Sequence, residues 1–220
     1  MRGETFLRAL ESSLRGARPG LKAQLRLAPE PRPGTRVYQD VHPSSLSAGV
    51  LVLLYPERGH LQILLTQRTA ELLHHRAQIS FPGGQQEAGE DLQLTALRES
   101  QEEVGVDPQG LRILGSLTPL FIPPSNYCIF PTVAYASERP ALQPSEKEVA
   151  AVLEVPLGHL RDPRNLKREI WQLRGLDVCV PFFDYQGHKI WGATAMVLSE
   201  LLEIIGDILQ AGKGAGTRGE

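Results

Sequence analysis

A segment in the middle of the chain, residues 81–106, constrains the fold more strongly than any other. It reads FPGGQQEAGEDLQLTALRESQEEVGV. Aspartate is a good helix N-cap and glycine commonly ends helices, so Asp91 and Gly105 predict a helix from about Asp91 to Val104, preceded by a loop. The helix also carries an unusual density of carboxylates, which asks for a physical explanation.

At about 100° per residue, the acidic and apolar side chains of this helix separate. Glu99, Glu102 and Glu103 fall on one side, and Leu94, Leu97 and Val104 fall on the other. One face is therefore expected to be core and the other a carboxylate cluster. A solvated face of an amphipathic helix would have the same pattern, so the pattern alone leaves both readings open.

Two further features favour a cation site. Like charges three or four residues apart destabilise a helix by a few tenths of a kcal/mol per pair, and a divalent cation reverses the sign of that effect. Carboxylates without histidine or cysteine suit magnesium better than zinc. Gly83 and Gly84 let the main chain approach a ligand closely, and Arg98 lies one turn before Glu102, where it can orient a carboxylate.

The rest of the chain predicts a single α+β domain with an N-terminal arm. Residues 4–15 have helical periodicity, and 1–36 form a helical arm and connector. The main domain covers 37–210, beginning with two strands joined at Arg58-Gly59. Further strands are predicted over 111–117, 129–136, 149–155, 168–173 and 178–183, with a final helix over 192–209 and a disordered tail over 211–220.

Composition excludes several classes of protein. The formal net charge of −2 gives no reason to expect nucleic acid or an anionic membrane as partner. Cys128 and Cys179 stand far apart, without the clustered cysteine and histidine of a zinc site, and are predicted to be reduced. No apolar run is long enough to span a bilayer, and no signal-peptide core opens the chain, so a cytoplasmic protein is expected.

The glutamate segment resembles the Nudix box. The matching positions are Gly84, Glu90, Arg98-Glu99, Glu102-Glu103 and Gly105, with Val106 as the closing apolar residue. Ser100 departs from the box, which usually has an aliphatic residue there. The resemblance implies a mixed β-sheet sandwiched between helices (α/β/α), hydrolysis of nucleoside-diphosphate-linked compounds, and Mg²⁺ or Mn²⁺ as the cofactor.

The resemblance also implies a role for each box residue. Glu99, Glu102 and Glu103 would be metal ligands, and with Arg98 they form the catalytic group. Glu90 would brace the helix together with Arg98 and contribute to the metal site. The general base is either a box glutamate or an acid from a distant loop, for which Glu146 and Glu148 are candidates and Glu148 is the choice. Substrate binding is assigned to Arg68, Gly83, Gly84 and Tyr127.

The segment before the box resembles that of coenzyme A pyrophosphatases, in its LLTxR start at 64–68 and its FPGG end at 81–84. Leu73 stands where that motif has arginine, and Ala77 where it has glycine. Because of the matching positions, coenzyme A or its thioesters are the expected substrates. The alternatives are another nucleotide, such as ADP-ribose or a dinucleotide, and a module that senses a nucleotide without cleaving it. The arm leaves room for a homodimer contact.

Overall fold

The computed structural model describes residues 3–31, 45–69 and 78–216, with side chains to 212. Helices α1 (Gly3–Arg15) and α2 (Leu21–Gln24) precede the main domain. The strands of the main sheet are β1 (Leu46–Glu57), β2 (His60–Arg68), β3 (Ile79–Ser80), β4 (Gly83–Gln85), β5 (Leu111–Ser116), β6 (Leu120–Ile122), β7 (Tyr127–Ala136) and β8 (Val149–Pro156). Helix α3 (Leu92–Val104) lies between β4 and β5. Beyond β8 follow α4 (Leu157–Leu160), β9 (Leu166–Leu173), β10 (Leu176–Tyr185), β11 (His188–Trp191) and α5 (Gly192–Gly216).

The main sheet is mixed. Within the described residues its central path runs β3-β2-β1-β7-β5, with β8 paired to β2, β4 to β1 and β6 to β7. Strands β1 and β7 run parallel, whereas β1 and β2 form the predicted antiparallel hairpin. Arg58 and Gly59, at the hairpin turn, both have positive φ. Strand β4 pairs with the first half of β1 and thereby fixes the glycine pair against the centre of the sheet.

Strand β1 shows why the sheet has to be covered on both faces. Val52 and Leu54 belong to the core beneath α1 and α5, and Leu51, Leu53 and Tyr55 belong to a second core beneath α3. Side chains alternate across a strand, so an uninterrupted buried apolar run needs a helix layer on each side. The predicted α+β class, a mixed β-sheet sandwiched between helices, is confirmed.

The N-terminal arm packs on its own domain. Leu7, Leu10 and Leu14 of α1 are buried in the same core as α5. On the outer side of α1, Glu4 and Glu11 form ion pairs with Arg112 of β5. The helix predicted over residues 4–15 is confirmed, and within the described part of the arm, residues 3–31, α1 packs on the domain core.

A buried carboxylate joins the arm to the last helix. Glu200 of α5 is fully buried and accepts hydrogen bonds from the Gly20 N–H, the Gln24 side-chain amide, and both the N–H and the hydroxyl of Thr118. Several donors converging on one carboxylate can offset the cost of burying its charge. Glu200 therefore fixes α2 and the β5–β6 turn to the domain.

Replacing Glu200 by alanine is expected to lower the free energy of unfolding by about 3 kcal/mol, because buried donors of Gly20 and Thr118 would lose their acceptor. Chemical denaturation measures the change. Asp207→Ala, at an exposed position of the same helix, is the control and should change stability by less than about 0.5 kcal/mol. Equal stability of both variants would contradict this role of Glu200.

The structure differs from the sequence prediction in several short elements. Strand β4 lies in the predicted loop 81–89, and β3, β6, β11, α2 and α4 were not predicted. Such short segments are set by pairing and packing partners rather than by periodicity. Helix α5 extends to Gly216, into the predicted disordered tail. It thus continues past Ile208, the last buried residue among its described side chains. Strands β9, β10 and β11 form a separate antiparallel sheet in the order β11-β10-β9, and Glu30 of the connector adds one bridge to the central strand β10 at Cys179.

Cys128 and Cys179 are both free, as predicted. Over the described residues, no helix is both long and apolar enough to cross a membrane.

Candidate functional site

Helix α3 begins and ends as its sequence predicts. The Asp91 side chain accepts hydrogen bonds from the N–H groups of Gln93 and Leu94, which satisfies donors at the helix N-terminus. Gly105 has φ 72° and closes the helix in the left-handed conformation. These caps fix the ends of the helix, and thus the position of each glutamate along its axis.

The buried side of α3 agrees only in part with the prediction, because Val104 is buried and Leu97 packs against the core as expected, whereas two other residues differ. Its buried residues are Thr95, Ala96, Ser100, Glu103 and Val104. Leu94, predicted to lie in the core, is 56% exposed, whereas Glu103, predicted to lie on the face opposite the core, is 3% exposed. The carboxylate side of the helix therefore turns partly toward the sheet.

The close approach of α3 to β1 explains this orientation. A Cβ built on Gly49 of β1 would lie 2.3 Å from the carbonyl oxygen of Leu92 and 2.8 Å from the backbone nitrogen of Ala96. Small side chains are needed at such a contact, and Thr95, Ala96 and Ser100 supply them. Ser100 donates its hydroxyl to the Ala96 carbonyl at 2.6 Å. The departure of Ser100 from the family pattern thus falls on the packed side of the helix.

Arg98 is the centre of an ionic cluster in which each of the other members is a glutamate. Its Nε and Nη2 donate to the two oxygens of Glu90 at 2.9 and 3.1 Å. Its Nη1 donates to Glu99 at 2.8 Å and to Glu102 at 3.3 Å. A planar guanidinium can bind carboxylates in several directions at once, so Arg98 sets the orientation of all three side chains.

Glu90 is held as a brace. Besides Arg98, it accepts hydrogen bonds from the Thr95 hydroxyl at 2.7 Å and from the Glu87 N–H at 3.2 Å. The Arg98 guanidinium, followed by the Thr95 hydroxyl, lowers the pKa of Glu90 to about 2. Both of its oxygens are engaged within the loop and helix, which fits the bracing role, and its contribution to a metal site stays a prediction.

Glu99 lies directly against Gly84. A Cβ on Gly84 would come within 2.3 Å of a carboxylate oxygen of Glu99. Desolvation raises the pKa of Glu99, and the Arg98 hydrogen bond counteracts that shift. The space left by the glycine is thus occupied by a carboxylate that is already costly to keep charged.

Glu103 is the most deeply buried acid of the helix. One oxygen accepts the Gly83 N–H at 3.1 Å, and the other lies 3.4 Å from Nη1 of Arg68. Burial raises the pKa of Glu103 to about 7, although the Gly83 N–H and Arg68 favour its charged form. Gly83 and Gly84 therefore contact two different carboxylates of one helix through adjacent residues.

Glu148, the predicted base, lies within electrostatic reach of both acids, since its charge contributes to the raised pKa of Glu99 and of Glu103. The segment before β8 docks on the C-terminal end of α3, where the Ser145 N–H donates to the Glu103 carbonyl at 2.8 Å. Glu148 is half-buried, whereas Glu146 is exposed. Between the two candidates, the geometry favours Glu148.

These acids fit a hard cation in chemistry, although their arrangement is incomplete. Glu99, Glu103 and Glu148 repel one another, and a divalent cation is the species that would relieve such repulsion. Glu102 is the more exposed acid, with a side chain that is 60% exposed and paired with Arg98, although its charge also contributes to the raised pKa of Glu99. Across residues 3–31, 45–69 and 78–216, no three acidic, histidine or cysteine side chains are arranged to hold a metal ion.

The predicted substrate contacts are divided in the structure. Arg68, Gly83 and Gly84 surround the acids, while Tyr127 lies at the start of β7 and donates to the Gln85 side chain at 2.9 Å. Gln85 also accepts Arg98 Nη2 through its carbonyl at 3.3 Å, so Tyr127 reaches the site through Gln85. Leu73 and Ala77 lie outside the described residues.

Two supporting residues were not singled out from the sequence. Thr95 fixes Glu90, and Gly49 admits α3 to the sheet. A glycine inside an otherwise apolar strand often marks a close backbone approach, which is the signal that could have identified Gly49. Thr95 has no comparable signal, because a threonine in a helix usually bonds within its own turn.

Comparison with known families gives one domain match. The family described as NUDIX domain matches residues 45–173. Among solved structures, a Nudix hydrolase from M. Smegmatis, RenU, has a TM-score of 0.50 at 19% identity, covering 74% of this chain and 86% of that one. At that identity the similarity supports the fold alone.

Curated relatives point in the same direction. Nudix hydrolase 22, chloroplastic, of Arabidopsis thaliana is 32% identical over 72% of this chain, which spans only 55% of that protein. An uncharacterized Nudix hydrolase NudL of Pectobacterium atrosepticum is 33% identical, with 84% of this chain and 91% of the relative covered. The human mitochondrial coenzyme A diphosphatase NUDT8 is 32% identical, with coverages of 72% and 69%.

Proposed function

Because the chain belongs to the Nudix family, we propose that it is a divalent-cation-dependent pyrophosphohydrolase acting on coenzyme A or its thioesters. The products are 3′,5′-ADP and 4′-phosphopantetheine or its acyl form. The observation that carries the proposal is the apposition of two poorly solvated carboxylates, Glu99 and Glu103, to the backbone of Gly84 and Gly83. Because carboxylates repel an anionic substrate, a site of this kind can bind one only when a cation is bound as well.

Glu99 and Glu103 would hold the cation, with Glu102 joining them by leaving Arg98. Bound Mg²⁺ or Mn²⁺ supplies charge neutralisation of the phosphate oxygens and a lowered pKa for a bound water. The chain supplies position: Arg98 keeps Glu99 oriented, and Glu90 keeps Arg98 in place. Water oxygen bonds to one phosphorus, the bridging P–O bond breaks, and Glu148 accepts the proton from water.

Support for coenzyme A comes from the segment that precedes the box. Its LLTxR arginine, Arg68, contacts Glu103, and its FPGG end supplies both glycines of the site. The name of the human relative adds support, although identity is 32%. Leu73 and Ala77, which depart from the coenzyme A motif, favour the second candidate, a Nudix hydrolase for ADP-ribose or a dinucleotide. The cytoplasmic location and the homodimer stay predictions.

The two candidates differ in the 3′-phosphate. With Mg²⁺ present, we expect kcat/KM for coenzyme A to exceed that for its 3′-dephosphorylated form by at least about tenfold, as for one charge-assisted contact. ADP-ribose should be slower still. Equal rates for both coenzyme A forms would contradict recognition of the 3′-phosphate and favour the second candidate, and no cleavage of any compound would favour a sensing module.

A further inference from the structure

The pairing of β2 with β8 is irregular next to the site. Gln67 pairs with Ala151 and Arg68 pairs with Val149, so the extra residue at this shift of register is Ala150 of β8. Bulges re-aim side chains and are frequent beside active sites. The Arg68 N–H donates to the Gln78 carbonyl at 3.2 Å, which brings Arg68 beside the chain that leads to Gly83. Opposite this bulge, the guanidinium of Arg68 reaches Glu103 of α3.

The two arginines of the site are held differently. Arg98 makes two short hydrogen bonds to Glu90 and a further bond to a backbone carbonyl, which fixes it. Arg68 contacts Glu103 through one nitrogen at 3.4 Å, near the upper limit for a hydrogen bond. Its side chain is 31% exposed, against 4% for Glu103. Arg68 can therefore leave the contact while Glu103 stays in place.

Glu103 cannot serve Arg68 and a divalent cation equally well, because the two positive charges would repel each other at a few ångströms. We propose that Arg68 is an exchangeable counter-ion: it pairs with Glu103 in the cation-free protein and transfers to a phosphate oxygen of the substrate when the cation takes Glu103. This inference rests on the proposed function. It gives Arg68 a part in cation binding as well as in substrate binding.

The test is the affinity of the substrate-free protein for Mn²⁺, measured from the electron paramagnetic resonance signal of free Mn²⁺. Arg68→Gln removes the positive charge but keeps a side-chain N–H that can donate to Glu103. In this variant the Mn²⁺ dissociation constant should fall about three- to tenfold. KM for the substrate should rise about tenfold or more, because a charged phosphate contact is lost. Arg68→Lys, which keeps the charge, should bind Mn²⁺ within about twofold of wild type.

Arg58→Ala, an exposed arginine at the far end of the same hairpin, is the control and should leave both constants unchanged. Unchanged or weaker Mn²⁺ binding by folded Arg68→Gln would overturn the exchange and make Arg68 a fixed support of Glu103. If Arg68→Gln does not fold, Arg68→Met removes the same charge, together with the hydrogen-bond donor, and the same fall in the Mn²⁺ dissociation constant is expected. Failure of the wild-type protein to bind Mn²⁺ would instead contradict the proposed function itself.

Discussion

Replacing Glu103 by glutamine is expected to lower turnover by about a hundredfold or more while stabilising the cation-free protein at pH 8. The catalytic loss follows from removing a ligand charge at the site of reaction. The gain in stability follows from burial, which raises the pKa of Glu103 to about 7 from a reference of 4.5. The folded state binds the proton of the Glu103 carboxyl more tightly than the unfolded state does. The ionised Glu103 therefore lowers the free energy of unfolding by an amount that grows as pH rises from about 4.5 to about 7.

Above pH 7 that cost is complete and on the order of 3 kcal/mol. Thermal unfolding of both proteins in chelator, from pH 5 to pH 8, should therefore show Tm values that are similar at low pH and diverge in favour of the variant. Glu138→Gln, at an exposed position, is the control for both measurements. Wild-type turnover in Glu103→Gln would contradict the metal assignment, and a lower Tm at pH 8 would contradict the burial cost.

The second large effect is expected from Gly84→Ala, which should reduce kcat by about a hundredfold with little change in stability. The new Cβ would occupy the position of the Glu99 carboxylate, 2.3 Å from its oxygen. The Glu99 side chain can rotate away at a small cost in stability. A displacement of about 1 Å at a reacting site, however, lowers the rate by about a hundredfold. Steady-state rates and Tm measure the two consequences separately.

Two other glycines, Gly110 and Gly83, provide the comparison for Gly84→Ala. Gly110→Ala adds a methyl group where nothing lies within 4 Å, so it should leave rate and Tm unchanged. Gly83→Ala would meet the backbone of Gly49 and Val50, with φ 149° at Gly83 itself, so it should lower Tm strongly. If Gly84→Ala kept normal activity, the carboxylate of Glu99 would not be needed at that position.

The sequence predicts the boundaries of α3 because caps act locally, through Asp91 and Gly105. It predicts the burial of Val104 but neither the exposure of Leu94 nor the burial of Glu103, because these depend on the contact with Gly49, more than forty positions upstream. Periodicity treats leucines as core and glutamates as surface, whereas a tight helix–sheet contact selects small residues. Leu94 is consequently exposed, and Glu103 enters the protein beside Thr95 and Ala96.

The same reasoning applies to the arm and the site. The helix of residues 4–15 follows from apolar spacing, but its attachment depends on Glu200, which meets Gly20 across most of the chain. In the site, the Arg98–Glu102 contact follows from helical spacing. The contact of Arg68 with Glu103 lies opposite a bulge in β8, which no local pattern reveals.

The central claim is that the site cleaves a pyrophosphate with a divalent cation, and product identification by mass tests it most directly. Incubated with coenzyme A and Mg²⁺, the wild-type protein should release 3′,5′-ADP and 4′-phosphopantetheine in equal amounts. Chelator should abolish both products, and Glu103→Gln should reduce both alike. Loss of the 3′-phosphate alone, thioester cleavage, or equal product release in chelator would contradict the account.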